Sequence, residues 1–211
     1  MDANFWHQKW QANDIGFHQP EGNPLLAAHF NALGLAPGSR IFLPLCGKTR
    51  DIAWLLAKGY SVVGAELSAL AVEQLFADLG VAPSRAEFGH CVLYRAPNVD
   101  IFVGDIFALT HLMLGKVDAI YDRAALVALP ENTRKFYSAH LIDITARAPQ
   151  LLICFEYNQN ALQGPPFSIS AEEVKAHYQK YYALTLLEKV PVPGGLKAVC
   201  AADEVVWLLN N

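Results

Sequence analysis

The stretch "IFLPLCGKTRDIAWLL", residues 41–56, joins an apolar run to a helical pattern through Cys46-Gly47-Lys48-Thr49. Gly-Lys-Thr can end a phosphate-binding loop, but that loop needs a glycine five positions before Gly47, and position 42 is Phe. Pro44 also removes one backbone donor from the amide cradle a phosphate requires. A dinucleotide fingerprint, G-x-G-x-x-G, fails as well, because Gly47 is the only glycine between Arg40 and Lys58. Phosphate-loop chemistry and hydride transfer are both disfavoured. What remains is a strand-to-helix turn with a single glycine.

The chain around this turn alternates between two hydrophobic periods. "RIFLPL" (40–45), "YSVVGAE" (60–66), "VDIFVGD" (99–105), "VDAIYD" (117–122) and "QLLICFEY" (150–157) are short runs rich in branched and aromatic residues, as buried strands are. Between them, residues 49–59, 68–80 and 131–148 have helical spacing, with Ser68 as an N-cap and Gly59 and Gly80 as stops. Such alternation predicts a mostly parallel sheet covered by helices on both faces. At the C-terminus, residues 181–192 and 203–211 read as two strands around Pro193-Gly194-Gly195, an antiparallel hairpin. Two helical candidates, 3–11 and 23–34, precede the first strand. The expected organisation is one domain over 1–211, with an N-terminal helical cover in 1–36 and an α/β core in 37–211.

Composition narrows the function. A chain of 211 residues with 53% hydrophobic residues can bury a substantial core, and a formal charge of -4 provides no global field for nucleic acid. Cys46, Cys91, Cys154 and Cys200 form no C-x-x-C pair, and the seven histidines lack ligand spacing, so no metal is expected. The N-terminus, "MDANFWHQKWQ", has no apolar leader core, and no stretch is long enough to span a bilayer. A cytoplasmic monomer acting on a small molecule, without nucleic acid or membrane partners, is expected.

The strand ends indicate the ligand. Glu66 lies 19 residues after Gly47, near the offset of roughly 20 at which an acid accepts from ribose hydroxyls. A nucleoside lacking a pyrophosphate suits a turn that cannot nest phosphate, and S-adenosylmethionine is such a ligand. After the next strand, Asp105 and Ile106 can meet the amine and the face of an adenine; Asp105 can equally cap the following turn. Asp122 and Arg123 end the strand after that, and ligands of open α/β sheets collect outside these carboxyl ends.

Taken together, "FWHQKWQ", "GFHQPEGNPLL", "PLCGK", "SVVGAELS", "GDIFAL", "YDRAALVALP" and "GPPFSI" resemble the thiopurine S-methyltransferase family along essentially the whole chain. The resemblance implies a Rossmann-like class I methyltransferase using S-adenosylmethionine, with a mostly parallel seven-stranded sheet and a reversed C-terminal hairpin. It implies cofactor contacts at Trp10, Leu45, Glu66, Ile106 and Arg123, and places Phe17 and His18 beside the acceptor with Pro165, Pro166 and Phe167 on the far wall. The acceptor implied is the sulfur of an aromatic or heterocyclic thiol, with selenium or tellurium compounds as further acceptors. The residues give these assignments reasons: an indole at Trp10 can exclude water from a cofactor, and two prolines stiffen the loop that presents Phe167. Methyl transfer to an acidic thiol needs alignment more than a dedicated base, so no residue is assigned as a certain catalyst; Arg123 is the candidate, and His18 is placed on the acceptor side. The alternatives are a cofactor-binding protein without transfer activity and another nucleoside-cofactor enzyme such as a dehydrogenase.

Overall fold

The computed structural model describes residues 3–16 and 18–211. Two helices come first, α1 (Ala3–Gln11) and α2 (Pro24–His29), the second extended by a 3-10 turn over Phe30–Leu33. Asn23 starts α2: its side chain accepts from Leu25 N at 2.8 Å and Leu26 N at 3.2 Å, and Pro24 occupies the first turn, where no N–H is missed. Then follow β1 (Arg40–Pro44), α3 (Asp51–Ala57), β2 (Ser61–Glu66), α4 (Ala69–Leu79), β3 (Ser84–Phe88), β4 (Cys91–Ala96) and β5 (Val99–Val103). The second half holds α5 (His111–Leu114), β6 (Ala119–Arg123), α6 (Glu131–Ile144), β7 (Gln150–Tyr157), α7 (Ala171–Tyr178), β8 (Ala183–Pro191) and β9 (Ala202–Asn210).

The nine strands among the described residues join one sheet in the order β3-β4-β5-β2-β1-β6-β7-β9-β8. The central run β5-β2-β1-β6-β7 is parallel, as the alternating pattern predicts, and β8 and β9 form the reversed hairpin against β7. The sheet has nine strands rather than seven: β3 and β4 add an antiparallel hairpin beyond β5. Every residue of β3 is exposed, so Ser84–Phe88 carries no apolar run by which its sequence could announce a strand. Edge strands of this kind are held by backbone pairing and by contacts such as Arg85 over the Tyr94 ring at 4.6 Å.

The two-residue period divides the core. Ile41 and Leu43 of β1 face one side, with Ile52 and Leu55 of α3 and Val72, Leu75 and Phe76 of α4; Phe42 faces the other, with Tyr137 and Leu141 of α6 and Val174 and Tyr178 of α7. Near-continuous burial along β1 and β2 follows from this double cover. Ser68 caps α4 by accepting from Ala71 N at 3.3 Å, and Gly80 ends it in the left-handed region at φ 70°, as the sequence predicts. The four cysteines are unbridged, and three of them are buried. No helix among the described residues is long and apolar enough to cross a membrane.

The helical pattern over 131–148 continues four residues past the end of α6, because Ala146 and Arg147 take positive φ after Thr145. The first apolar run also stops short of its sequence limit: Leu45 has φ 47°, so β1 ends at Pro44 and the chain turns sharply toward α3. The order β2-β1-β6 reverses the direction of chain progression between β1 and β6. A switch point of this kind leaves a crevice where the two connections diverge.

Candidate functional site

A cavity of about 510 Å³ opens at that switch point, within the range typical of small-molecule sites. Its floor is the turn after β1. Leu45 lies in the left-handed region, where a branched side chain is disfavoured, and the backbone is thereby brought to the cavity edge. Gly47 follows at φ 53°, and an added Cβ there would lie 3.0 Å from Cζ2 of Trp10, so the missing side chain is what admits the indole. Trp10, 4% exposed, is the one buried residue of α1 and forms part of the cavity lining.

Glu66 closes the second side. It ends β2 with 6% exposure, and its two carboxylate oxygens are held apart by backbone donors: Oε2 accepts from Gly47 N at 2.8 Å and Oε1 from Ser68 N at 2.8 Å. Burial pushes its pKa up, and the N–H groups of Ser68, Gly47 and Leu67 oppose the rise. A carboxylate offers about four lone-pair positions, so two such bonds leave capacity for two further O–H donors from the cavity.

Asp51 also lines the cavity, and no sequence signal had singled it out. It is 1% exposed; Oδ1 accepts from Asn23 N at 2.7 Å and Oδ2 from Tyr121 OH at 3.0 Å. One carboxylate thus ties the start of α2 and the middle of β6 to the first turn of α3. Its partners lie 28 and 70 residues away in the chain, which is why the sequence alone does not reveal its role.

The third wall is the turn after β6, where Arg123, Ala124, Val127 and Ala128 reach the cavity. Gly164, Pro165 and Pro166 line it as well, together with Phe155 of β7. The hairpin connection between β8 and β9 adds Leu196 and Lys197, and Lys197 Nζ donates to the Pro165 carbonyl at 2.8 Å. His18 and Gln19 complete the mouth beside the ion pair of Lys9 and Asp14. Burial, followed by the charges of Lys48 and Arg50, lowers the His18 pKa and so favours the neutral imidazole.

Of the residues the sequence nominates, Trp10, Leu45, Gly47, Glu66, Arg123, His18, Pro165 and Pro166 meet in this one cavity. Three others are placed elsewhere. Asp105 caps a 3-10 turn, accepting from Phe107 N at 3.0 Å; Ile106 is 1% exposed in the core, its carbonyl in contact with His140 Nε2 at 2.9 Å. Phe167 turns back over Gly164, where an added Cβ would fall 2.6 Å from its ring, and donates its N–H to the Val127 carbonyl at 2.6 Å. Phe17 lies outside the described residues.

Comparison with known proteins identifies the family and the fold. A family model described as "Thiopurine S-methyltransferase (TPMT)" matches residues 1–209. Thiopurine S-methyltransferase of Xanthobacter autotrophicus is 55% identical over 212 residues, covering 100% of both chains, and that of Teredinibacter turnerae is 50% identical, covering 100% of this chain and 98% of its own. Among solved structures, Burkholderia thailandensis 1,6-didemethyltoxoflavin-N1-methyltransferase superposes with a TM-score of 0.67 at 15% identity, over 99% of this chain and 87% of that one. Magnesium protoporphyrin IX methyltransferase from Synechocystis gives 0.64 at 12% identity over 100% of each. At such low identity these two likenesses establish the fold.

Proposed function

The chain belongs to the thiopurine S-methyltransferase family, and from that premise we propose how its cavity works. It is an S-adenosylmethionine-dependent methyltransferase, and the acceptor we assign is the sulfur of an aromatic or heterocyclic thiol. The observation that carries the reading is Glu66: a buried carboxylate, fixed by two backbone donors, with unused lone pairs at a switch-point cavity. That arrangement fits a ribose, and the turn beside it, with Pro44 and a single glycine, does not fit a pyrophosphate.

Glu66 would hold the ribose hydroxyls, Leu45 and Trp10 would give apolar cover, and Arg123 would stand by a carboxylate or the acceptor. When bound, S-adenosylmethionine supplies a methyl carbon attached to a positively charged sulfur, open to in-line attack by a thiolate. The protein's own part is alignment and exclusion of water. Trp10 closes over Gly47, Phe155 and the two prolines form an apolar wall, and the clasp from Lys197 to Pro165 fixes that wall to the neighbouring hairpin. Helix α1, whose Trp10 lies against Gly47, serves as a cover over the cofactor.

The test is a transfer assay with aromatic thiols that are ionised at neutral pH, with selenium and tellurium compounds as a second set of acceptors. S-methyl product is expected. If His18 only shapes the acceptor site, His18→Ala lowers kcat/KM for an ionised thiol by less than about tenfold, well short of the 10²–10⁴ that general-base catalysis contributes. A hundredfold loss confined to a thiol that is protonated at neutral pH, and absent with the ionised one, would make His18 the base. Cofactor binding without transfer to any acceptor would favour the non-catalytic alternative instead.

A further inference from the structure

Asp122 is fully buried, immediately before Arg123 in β6, and does not line the cavity. Its two oxygens are committed to different elements: Oδ1 accepts from Leu126 N at 3.1 Å, and Oδ2 accepts from Tyr137 OH of α6 at 2.7 Å. The segment bridged by the first bond is the one that carries Arg123 and Ala124 to the cavity wall. It is strained, since Ala124 has φ 64°, a conformation that persists only when its surroundings enforce it. The same turn holds its neighbour, because the Val127 carbonyl accepts from Phe167 N at 2.6 Å and so anchors the loop that begins at Gly164. One carboxylate therefore stands behind two walls of the cavity.

We propose that ionised Asp122 is a positioning residue for methyl transfer, pinning the Arg123–Ala128 turn to α6 so that Arg123 and the proline loop keep their alignment on the acceptor. The proposal rests on the methyl-transfer reading above. As a carboxylate, Asp122 accepts at both oxygens; once protonated, one oxygen becomes a donor facing the Tyr137 hydroxyl, and the bond to Leu126 N loses its charge assistance. The groups that face it are Tyr137 from α6, Tyr178 from α7 and Cys154 from β7. Burial pushes the Asp122 pKa up to about 6, while Tyr137 OH and the N–H groups of Leu126 and Ala125 pull it down. The switch between its two forms then falls just below neutrality.

The experiment is kcat/KM against pH between about 5 and 8, at saturating S-adenosylmethionine, with a nitro-activated aromatic thiol that stays ionised throughout. Saturation removes the titration of Glu66 from view, since that group acts on cofactor affinity. Wild-type activity is expected to fall below about pH 6. Tyr137→Phe deletes one donor to the carboxylate and should move this acid limb upward by about half to one pH unit. A merely structural tyrosine would lower the melting temperature and leave the limb in place, and an unmoved limb overturns the proposal. Asp122→Asn should flatten the limb and lower kcat about tenfold or more; if it does not fold, Tyr137→Phe alone decides. Loss of all transfer and of S-adenosylhomocysteine binding in the wild type would instead defeat the methyl-transfer reading itself.

Discussion

Glu66→Ala should weaken S-adenosylhomocysteine binding by about 1–3 kcal/mol, roughly 5- to 150-fold, measured by calorimetry. Two losses combine. The ribose acceptor disappears, and the N–H groups of Gly47 and Ser68, both held at 2.8 Å by the carboxylate, are left in a buried site without it. Glu66→Gln separates charge from geometry: an amide presents an acceptor to one of the two N–H groups and a donor to the other, so it should recover little of the affinity. An unchanged affinity in Glu66→Ala would remove the ribose assignment. The fold should also respond to pH through this group. Its folded pKa is raised, so the stability it contributes is fully present below its unfolded value and is lost as pH rises through the folded value. Function and stability thus favour opposite protonation states at Glu66, as they do at Asp122.

Gly47→Ala is the second large effect expected. The position has φ 53°, and a Cβ there would meet Trp10 at 3.0 Å from Cζ2 and 3.4 Å from Cη2. Backbone strain costs about 1 kcal/mol, and the tight contact pushes the indole off its seat over the turn. S-adenosylhomocysteine affinity should fall about 10- to 100-fold, or about 1.4 to 2.8 kcal/mol, and proteolysis of the N-terminal segment should no longer slow when the ligand is added. Gly34→Ala is the control, because Gly34 has φ 62° with nothing within 4 Å of an added Cβ. It carries the same strain without the clash, and it should leave binding and protection unchanged. Equal effects from the two substitutions would mean that Trp10 does not cover the site.

The parallel centre of the sheet was legible because its strands are buried on both faces and their sequences are nearly continuous apolar runs. Helix limits were legible where a side chain enforces them, as Ser68 and Gly80 do for α4. The exposed strand β3 was not, since pairing with β4 rather than its own pattern makes it a strand. At the site, Glu66 and Gly47 could be related by their spacing, and the structure joins them by a hydrogen bond. Leu196 and Lys197 could not be foreseen at the cavity, because they arrive from a hairpin connection about 150 residues from the first turn. Asp51 escaped notice for a related reason, because it acts through Tyr121 on another element, whereas Asp122 was visible as a strand end but its partner Tyr137 on α6 was not. Asp105 shows the reverse case, where a residue at a plausible strand end serves its own turn.

The central claim is that the cavity between β1 and β6 receives the nucleoside half of a methyl donor. Calorimetric titration of the wild-type protein with S-adenosylhomocysteine, run beside an identical titration with NAD, tests it most directly. Saturable one-to-one binding of S-adenosylhomocysteine with no heat from NAD is the predicted result. Binding of NAD with none of S-adenosylhomocysteine would contradict it.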